Sequence, residues 1–126
     1  MNFKHCLLAL VMLIASPAWA GWTFVTKDLE DNSFFVDFDT LRKDGNLRKV
    51  WQMVDLSTSN KFRWASTRQR NEYDCKNETK SILSFAAFSK KNLEGERLYD
   101  GNKISEKEDV APDSVDWRVL KLVCSK

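Results

Sequence analysis

Histidine is almost absent from this sequence, because its single imidazole is His5, near the N-terminus. Residues 21–126 contain none, which excludes Ser-His and Cys-His nucleophile pairs from that part of the chain. They also lack the commonest protein ligand of zinc and copper, so we expect no metal site. No motif organises the remaining carboxylates, lysines and tyrosines for catalysis. The sequence therefore predicts a protein that is not an enzyme.

Neither sign of charge is in excess, since 20 lysines and arginines stand against 18 aspartates and glutamates. Nucleic-acid-binding domains usually carry a strong basic bias, so this balance argues against a nucleic-acid partner. Long apolar runs are scarce as well. The run at residues 6–15 is too short for a bilayer core of ~30 Å, which requires about 20 apolar residues. We therefore expect no membrane span.

That apolar run instead forms the centre of a signal peptide. Lys4 and His5 give a positive start, and residues 16–20 place small side chains at the two positions that a signal peptidase reads. A buried N-terminal helix is the alternative, but such a helix would show a polar stripe, which this run lacks. We predict that residues 1–20 are cleaved and that residues 21–126 form a single exported domain.

The cysteines agree with export. Cys6 precedes the apolar run, so it cannot serve as a lipid-anchor cysteine. Cys75 and Cys124 remain after cleavage, and an even pair in an exported chain usually forms a disulfide. Closing a loop of ~50 residues stabilises the fold by roughly 4 kcal/mol in the chain-entropy treatment. Two buried free thiols are the alternative.

Alternation of apolar and polar residues predicts β-strands through most of the chain. The predicted strands are residues 22–25, 34–41, 47–56, about 62–75 and 81–89, with a short last strand at 97–99. Asp44-Gly45 suits the tight turn of a hairpin between the second and third strands. A helix is the alternative for residues 81–89, and residues 102–111 are expected to be irregular.

The C-terminal segment is the best helix candidate. Asp113 or Ser114 can accept hydrogen bonds from the free N–H groups at its start, and apolar residues recur at helical spacing over residues 115–124. Cys124 would then tie the helix end to the fourth strand through Cys75. The predicted fold class is α+β: an antiparallel β-sheet of five to six strands packed with one C-terminal α-helix and closed by one disulfide.

Several predicted strands are apolar on both faces. Phe34 and Phe35 are adjacent and therefore point to opposite sides of the sheet, as do Val50 and Trp51. One helix can cover only one face, so the other must be covered by curling of the sheet, by a second subunit or by a ligand. We hypothesise self-association into a homodimer, with a curled monomer as the alternative.

Three candidate ligand-binding side chains lie on or beside the fourth predicted strand: Trp64, Arg68 and Arg70. The two arginines share one strand face, and Arg63 with Lys90-Lys91 would add positive charge for an acidic ligand such as a sulfated glycan. The alternative is a solvated face that Glu72 and Asp74 neutralise. Trp64 is a candidate ring platform, whereas the tryptophans at positions 51 and 117 are expected to fill the core.

Two further sets of side chains admit a functional interpretation. Asp37 and Asp39 are spaced for an acid/base pair or a calcium site, although turn or capping roles are the simpler interpretation. Met53, Tyr73 and Tyr99 are candidate axial ligands to haem, but the missing histidine disfavours such a site. From these residues alone we expect no cofactor.

An ordered series of short motifs resembles the bacterial surface-adhesin protein E family over essentially all of residues 21–126. The motifs are a tryptophan-led first strand, Phe35-Val36-Asp37, Asp44-Gly45, residues 50–55 (VWQMVD), 72–76 (EYDCK), 112–115 (PDSV) and Val123-Cys124. The resemblance implies an antiparallel sheet, a C-terminal helix and the Cys75–Cys124 bond between them. It also implies binding of host matrix or serum proteins, and haem binding is associated with the family.

The sequence departs from the lipid-anchored members of that family, because no cysteine follows the predicted cleavage site. We therefore expect a periplasmic or secreted product, with display on the cell surface as the alternative. The overall prediction is a non-enzymatic binding domain exported from a Gram-negative bacterium, with a host matrix or serum protein as partner. The alternative function is a structural or inhibitory partner of another envelope protein in the periplasm.

Overall fold

The computed structural model describes residues 21–57, 62–102 and 105–126. The predicted signal peptide, residues 1–20, lies outside this range. Within it, the chain forms a seven-stranded antiparallel sheet, one short 3-10 turn at Lys91–Leu93 and one α-helix. The predicted α+β class, with its C-terminal helix and its disulfide, is confirmed.

Six strands follow one another across the sheet in chain order. They are β1 (Trp22–Lys27), β2 (Ser33–Asp44), β3 (Leu47–Asp55), β4 (Ser66–Asp74), β5 (Thr79–Phe88) and β6 (Arg97–Gly101). Each strand is antiparallel to its neighbours, and the short β7 (Glu108–Asp109) pairs with the start of β5. Antiparallel neighbours need only short connections, so local turn signals locate most of these strands.

The β2–β3 hairpin illustrates such a turn signal. Asp44 pairs with Leu47, which leaves Gly45 and Asn46 as the two turn residues. Gly45 has a φ of 57°, a conformation that glycine adopts without the Cβ clash that other residues meet. The predicted Asp-Gly turn is therefore confirmed, and it sets the register of the first long hairpin.

Two segments differ from the prediction. β4 begins at Ser66 instead of at about residue 62, because the chain ahead of it turns out of the sheet and places Trp64 against other rings. The segment expected to be irregular contains β7, since Asp109 pairs with Thr79. Val110, an apolar residue in this polar stretch, is 8% exposed and packs into the core, which anchors β7 there.

The helix α1 (Val115–Cys124) packs on one face of the sheet. Its first turn is capped by Ser114, whose Oγ accepts a hydrogen bond from the Trp117 N–H at 3.1 Å. The side chains that the core encloses most completely come from both layers: Val36, Val50, Tyr73, Val119, Leu120 and Val123. The Cys75–Cys124 disulfide joins the end of α1 to the residue that follows β4.

The sheet has a helix face, which α1 covers, and an open face, over which no described helix packs. Alternation along the strands places Val36 on the helix face and turns Phe35, Trp51 and Arg68 to the open face. Phe24, which pairs with Phe35, is 53% exposed there. The sequence thus correctly predicted strands that carry apolar side chains on both faces.

Candidate functional site

Arg68 lies on the open face between two aromatic rings. Its guanidinium carbon is 5.4 Å from the ring centroid of Trp51 and 5.8 Å from that of Phe88. Arg97 approaches the same Phe88 ring at 5.6 Å. These distances fall within the ~6 Å over which cation–π attraction acts. Trp51, Arg68, Phe88 and Arg97 therefore form a row of alternating rings and cations, which we call the open-face row.

Strand register builds this row. Arg68 pairs with Met53 of β3 and with Ala86 of β5. Trp51 and Phe88 consequently lie on the diagonal, two residues away on the neighbouring strands, where long and aromatic side chains still reach one another. The small Ala86 side chain leaves room for the guanidinium between the two rings.

The arginines of the row also cover the sheet. Met53 is 3% exposed and Phe88 is 7% exposed, although no described helix packs over them. An arginine can lay its methylene stem on apolar surface and keep its charge in water. The arginine side chains of this chain thus cover part of the open face. We had expected curling of the sheet, a second subunit or a ligand to do so.

Arg70 lies two residues beyond Arg68 on the same face and borders a cavity of 630 Å³. The other lining residues are Lys49, Glu72, Ser81, Leu83, Asn102, Ser105, Glu106 and Lys107. Glu72 pairs with Lys49, whose Nζ lies 3.9 Å from the Glu72 Oε2, and not with either arginine. Among the described residues, Arg68 and Arg70 form no ion pair.

Asp74, the second carboxylate expected to neutralise the arginines, instead organises the β4–β5 turn. Its Oδ1 accepts hydrogen bonds from the N–H groups of Asn77 and Lys76, each at 3.0 Å, and its Oδ2 accepts one from the Asn77 side chain. These bonds, led by the one from the Asn77 N–H, hold the pKa of Asp74 below its ordinary value. Asp74 is therefore committed to the turn and, among the described residues, forms no ion pair with Arg68 or Arg70.

Trp64 lies apart from both arginines. Its ring contacts three others, with centroids at 5.0 Å (Phe62), 5.6 Å (Phe85) and 5.9 Å (Tyr99). Phe85 pairs with Gln69, which neighbours Arg68 along β4 and therefore points to the opposite side of the sheet. The three candidate residues predicted as one group thus belong to two different surfaces.

Trp64 instead borders a second cavity, of 350 Å³, at the end of the sheet where β3 ends and β4 begins. We call it the end cavity, and it is lined by Leu56, Ser57, Arg63, Trp64, Ala65, Ser89 and Lys91. Arg63 and Lys91 were expected to add charge beside Arg68 and Arg70. The structure therefore divides the predicted basic cluster into an open-face pair and an end-cavity pair.

Asp37 and Asp39 interact with their own backbone. Oδ1 of Asp37 accepts the Asp39 N–H at 3.1 Å, and the Thr40 hydroxyl donates to the Asp37 carbonyl at 2.6 Å. In residues 21–57, 62–102 and 105–126, no group of three or more His, Cys, Asp or Glu side chains is placed to hold a metal ion. This geometry favours the turn role of these aspartates.

The three side chains considered as haem ligands do not converge. Tyr73 is fully enclosed beneath α1, and its hydroxyl donates to Oε1 of Gln52 at 2.6 Å. Met53 lies on the open face, whereas Tyr99 lies on β6 and is 51% exposed. These residues do not fit a single haem site, and haem binding stays a prediction from the family resemblance.

The remaining members of the open-face row were not predicted from the sequence. Trp117 packs against the core as expected, whereas Trp51, expected in the core as well, lies under Arg68. Phe88 and Arg97 were not singled out at all. Alternation within one strand gives the face of a side chain, but its diagonal neighbours depend on the register with other strands.

The family model for surface-adhesin protein E matches residues 22–125. The chain belongs to the surface-adhesin protein E family. Crystal form II of Haemophilus influenzae protein E has the same fold, with 15% identity over 86% of this chain and 91% of that chain, and a TM-score of 0.65. A second Haemophilus influenzae protein E structure covers 89% of this chain and 91% of its own, with 15% identity and a TM-score of 0.63.

Protein E from non-typeable Haemophilus influenzae gives 16% identity over 87% of this chain and 79% of that one, with a TM-score of 0.59. A search of curated proteins returns no match. At these identities the solved structures establish the fold, while the family model indicates an exported adhesin that binds a protein or host partner. Among the described residues, no helix combines the length and apolar character needed to cross a bilayer.

Proposed function

We propose that this member of the surface-adhesin protein E family is an exported, non-enzymatic domain that binds a host matrix or serum protein through its open face. The observation that carries the proposal is Arg68 held between Trp51 and Phe88. Tryptophan and arginine are among the residues that dominate binding energy at protein interfaces. An arginine already stacked between rings loses little side-chain freedom when a partner binds, which lowers the entropic cost of association.

The charge of the open face indicates the kind of partner surface. Two of its cations are paired within the chain, Lys49 with Glu72 at 3.9 Å and Arg97 with Asp100 at 2.9 Å. Arg68 and Arg70 have no ion pair in the part of the chain that the structure describes. A partner that presents carboxylates to these two guanidiniums would form charge-assisted, bidentate hydrogen bonds, which favour specificity and rapid association.

Binding of residues 21–126 to an array of purified matrix and serum proteins, including fibronectin and collagen, tests the proposal. We expect Arg68→Ala to weaken binding about tenfold or more, which corresponds to roughly 1.4 kcal/mol. The affinity of Arg68→Lys should lie between those of the unaltered domain and Arg68→Ala, because lysine keeps the positive charge but lacks the planar guanidinium. Arg118→Ala is the matched control, since Arg118 is exposed on α1, which covers the opposite face of the sheet.

Unchanged binding by a folded Arg68→Ala protein, equal losses in Arg68→Ala and Arg118→Ala, or no binding by the unaltered domain would each overturn the proposal. A second copy of this chain is the competing occupant of the open face. Light scattering after gel filtration distinguishes the two occupants. A dimer that forms in the unaltered domain and is lost in Arg68→Ala would assign the open face to self-association.

Export is the second part of the proposal. The signal-peptide pattern of residues 1–20, with Gly21 in place of an anchor cysteine, supports a periplasmic or secreted product. The intact mass of the native protein should correspond to a chain that begins at Gly21 with Cys75 and Cys124 oxidised. Recovery from the periplasm with one stoichiometric envelope protein would instead support the alternative function as an envelope partner.

A further inference from the structure

We infer that the end cavity binds an anionic sugar, that is, a sugar ring bearing a carboxylate or a sulfate. Its volume of 350 Å³ lies in the range of ~300–1,000 Å³ typical of small-molecule sites. Three connecting segments line it: residues 56–57 after β3, residues 63–65 before β4, and Ser89 with Lys91 after β5. Loops held by a rigid sheet are where ligand-binding residues concentrate.

The charge of the lining selects an anion. Arg63 and Lys91 both line the cavity, and none of its described lining residues is acidic. Asp55, which ends β3 nearby, is engaged instead in accepting the Asn92 N–H at 2.9 Å. Arg63 and Lys91 have no ion pair among the residues of the described ranges. Two such cations can share one carboxylate or sulfate group through charge-assisted hydrogen bonds.

The other lining groups favour a sugar over a simple inorganic anion. The Trp64 ring is fixed by three neighbouring rings, because it stacks on Phe62 at 5.0 Å and contacts Phe85 and Tyr99 at 5.6 and 5.9 Å. The part of this indole that lines the cavity is a rigid apolar contact for the C–H groups of a sugar ring. Ser89 accepts the Glu96 N–H at 2.8 Å, which leaves its own hydroxyl proton to donate to a sugar hydroxyl.

The segment that carries Lys91 is held in place before any ligand arrives. The Ser66 hydroxyl donates to the Lys90 carbonyl at 2.6 Å and accepts the Leu93 N–H at 2.9 Å. One lining residue, Arg63 (φ 58°), and the two residues that follow Lys91, Asn92 (φ 59°) and Leu93 (φ 62°), have left-handed backbone. Such conformations cost about 1–3 kcal/mol each and cluster at ligand sites, where the surroundings hold them.

Calorimetric titration of residues 21–126 with N-acetylneuraminic acid, glucuronic acid and glucosamine 6-sulfate tests the inference. We expect Lys91→Ala and Arg63→Ala each to weaken binding about tenfold or more, because each removes one of the two cations. Lys90→Ala is the matched control, since Lys90 is adjacent to Lys91 but does not line the cavity. This control should bind as the unaltered domain does.

Further arms separate the ligand classes. Trp64→Leu should weaken the binding of acidic sugars and leave the binding of inorganic sulfate unchanged. The unaltered domain should not bind neutral galactose. Tighter binding of hyaluronan or heparin oligosaccharides than of single sugars would place the sugar within a chain. The inference is overturned by equal losses in Lys90→Ala and Lys91→Ala, by a short polyglutamate peptide that binds as well as the sugars, or by no sugar binding at all.

Arg68→Ala keeps this experiment separate from the proposed function. Arg68 lies on the open face and does not line the end cavity. We expect Arg68→Ala to bind acidic sugars normally, and Lys91→Ala to bind the host protein normally. Failure of one proposal is therefore distinguishable from failure of the other.

Discussion

Gln52 connects two donors that the core would otherwise leave unpaired. Its Oε1 accepts the Tyr73 hydroxyl at 2.6 Å and the Asn71 side-chain N–H at 2.7 Å. All three side chains are nearly or fully buried. A buried polar network of this kind stabilises the fold only while its members remain paired, so the single hydroxyl of Tyr73 is a sensitive position.

Tyr73→Phe removes that hydroxyl and keeps the ring. We expect the free energy of unfolding to fall by about 1–1.5 kcal/mol, the typical loss for one buried hydrogen bond. Urea denaturation at neutral pH measures this loss. Tyr99→Phe is the control, because Tyr99 is exposed on β6 and should be within ~0.5 kcal/mol of the unaltered domain. Equal effects of the two substitutions would contradict the network.

Tyr73 also predicts a dependence on alkaline pH. Burial, and next the charge of Asp116, raises the pKa of Tyr73 far above its ordinary value of about 10. Above pH 10 the unfolded chain loses this proton while the folded chain keeps it, so stability falls as pH rises. The stability difference between the unaltered domain and Tyr73→Phe should therefore shrink between about pH 8 and about pH 11. A constant difference across that range would contradict the prediction.

At the scale of residues, the sequence located Arg68 and Arg70 on one face, because period-two alternation is a local property of a strand. It did not separate Trp64 from them, since the departure of the chain from the sheet ahead of Ser66 has no periodic signal. Lys91 was predicted as a charge on a loop, but its contact with the end cavity depends on the bonds that Ser66 makes to that loop.

At the scale of elements, the start of α1 depends on one side chain. Both Asp113 and Ser114 were candidates for the cap, and Ser114 holds the Trp117 N–H. We expect Ser114→Ala to lower the free energy of unfolding by about 1 kcal/mol. Asp113→Asn, which tolerates the left-handed backbone at that position, should change it by less than ~0.5 kcal/mol. Thermal unfolding of both variants measures the contrast, and a larger loss in Asp113→Asn would reassign the cap.

Most elements were predictable because each strand pairs with the next in sequence, so turns and alternation carry the information. β7 was not, because a two-residue strand has no period of its own and Asp109 finds its partner, Thr79, thirty residues earlier. The helical spacing was right, yet Leu122 is 38% exposed beside the buried Val119 and Val123. A ten-residue helix covers only part of the sheet, so which of its apolar residues are buried depends on how the helix packs on the sheet and not on helical spacing alone.

At the scale of the whole molecule, the helix, the open face and the end cavity occupy three separate places around one sheet. α1 contacts β1 and β2 and encloses the end of the sheet that carries Tyr73. The open-face row lies on the opposite surface, and the end cavity lies at the edge where β3 ends and β4 begins. The two proposed ligands can therefore bind independently, while both surfaces depend on the same packed sheet.

The Cys75–Cys124 disulfide holds that arrangement together, because it joins α1, the last element of the chain, to the β4–β5 turn across a sequence separation of 49. The chain-entropy treatment assigns roughly 4 kcal/mol to a loop of that size, and small domains have only ~5–15 kcal/mol in total. We expect reduction to lower the urea midpoint strongly, with host-protein and sugar binding both lost in step with unfolding. The Cys75→Ser, Cys124→Ser double variant should have the urea midpoint of the reduced domain, and added reductant should not change that midpoint. A reduced domain with an unchanged midpoint would show that the Val119, Leu120 and Val123 packing alone holds the helix on the sheet.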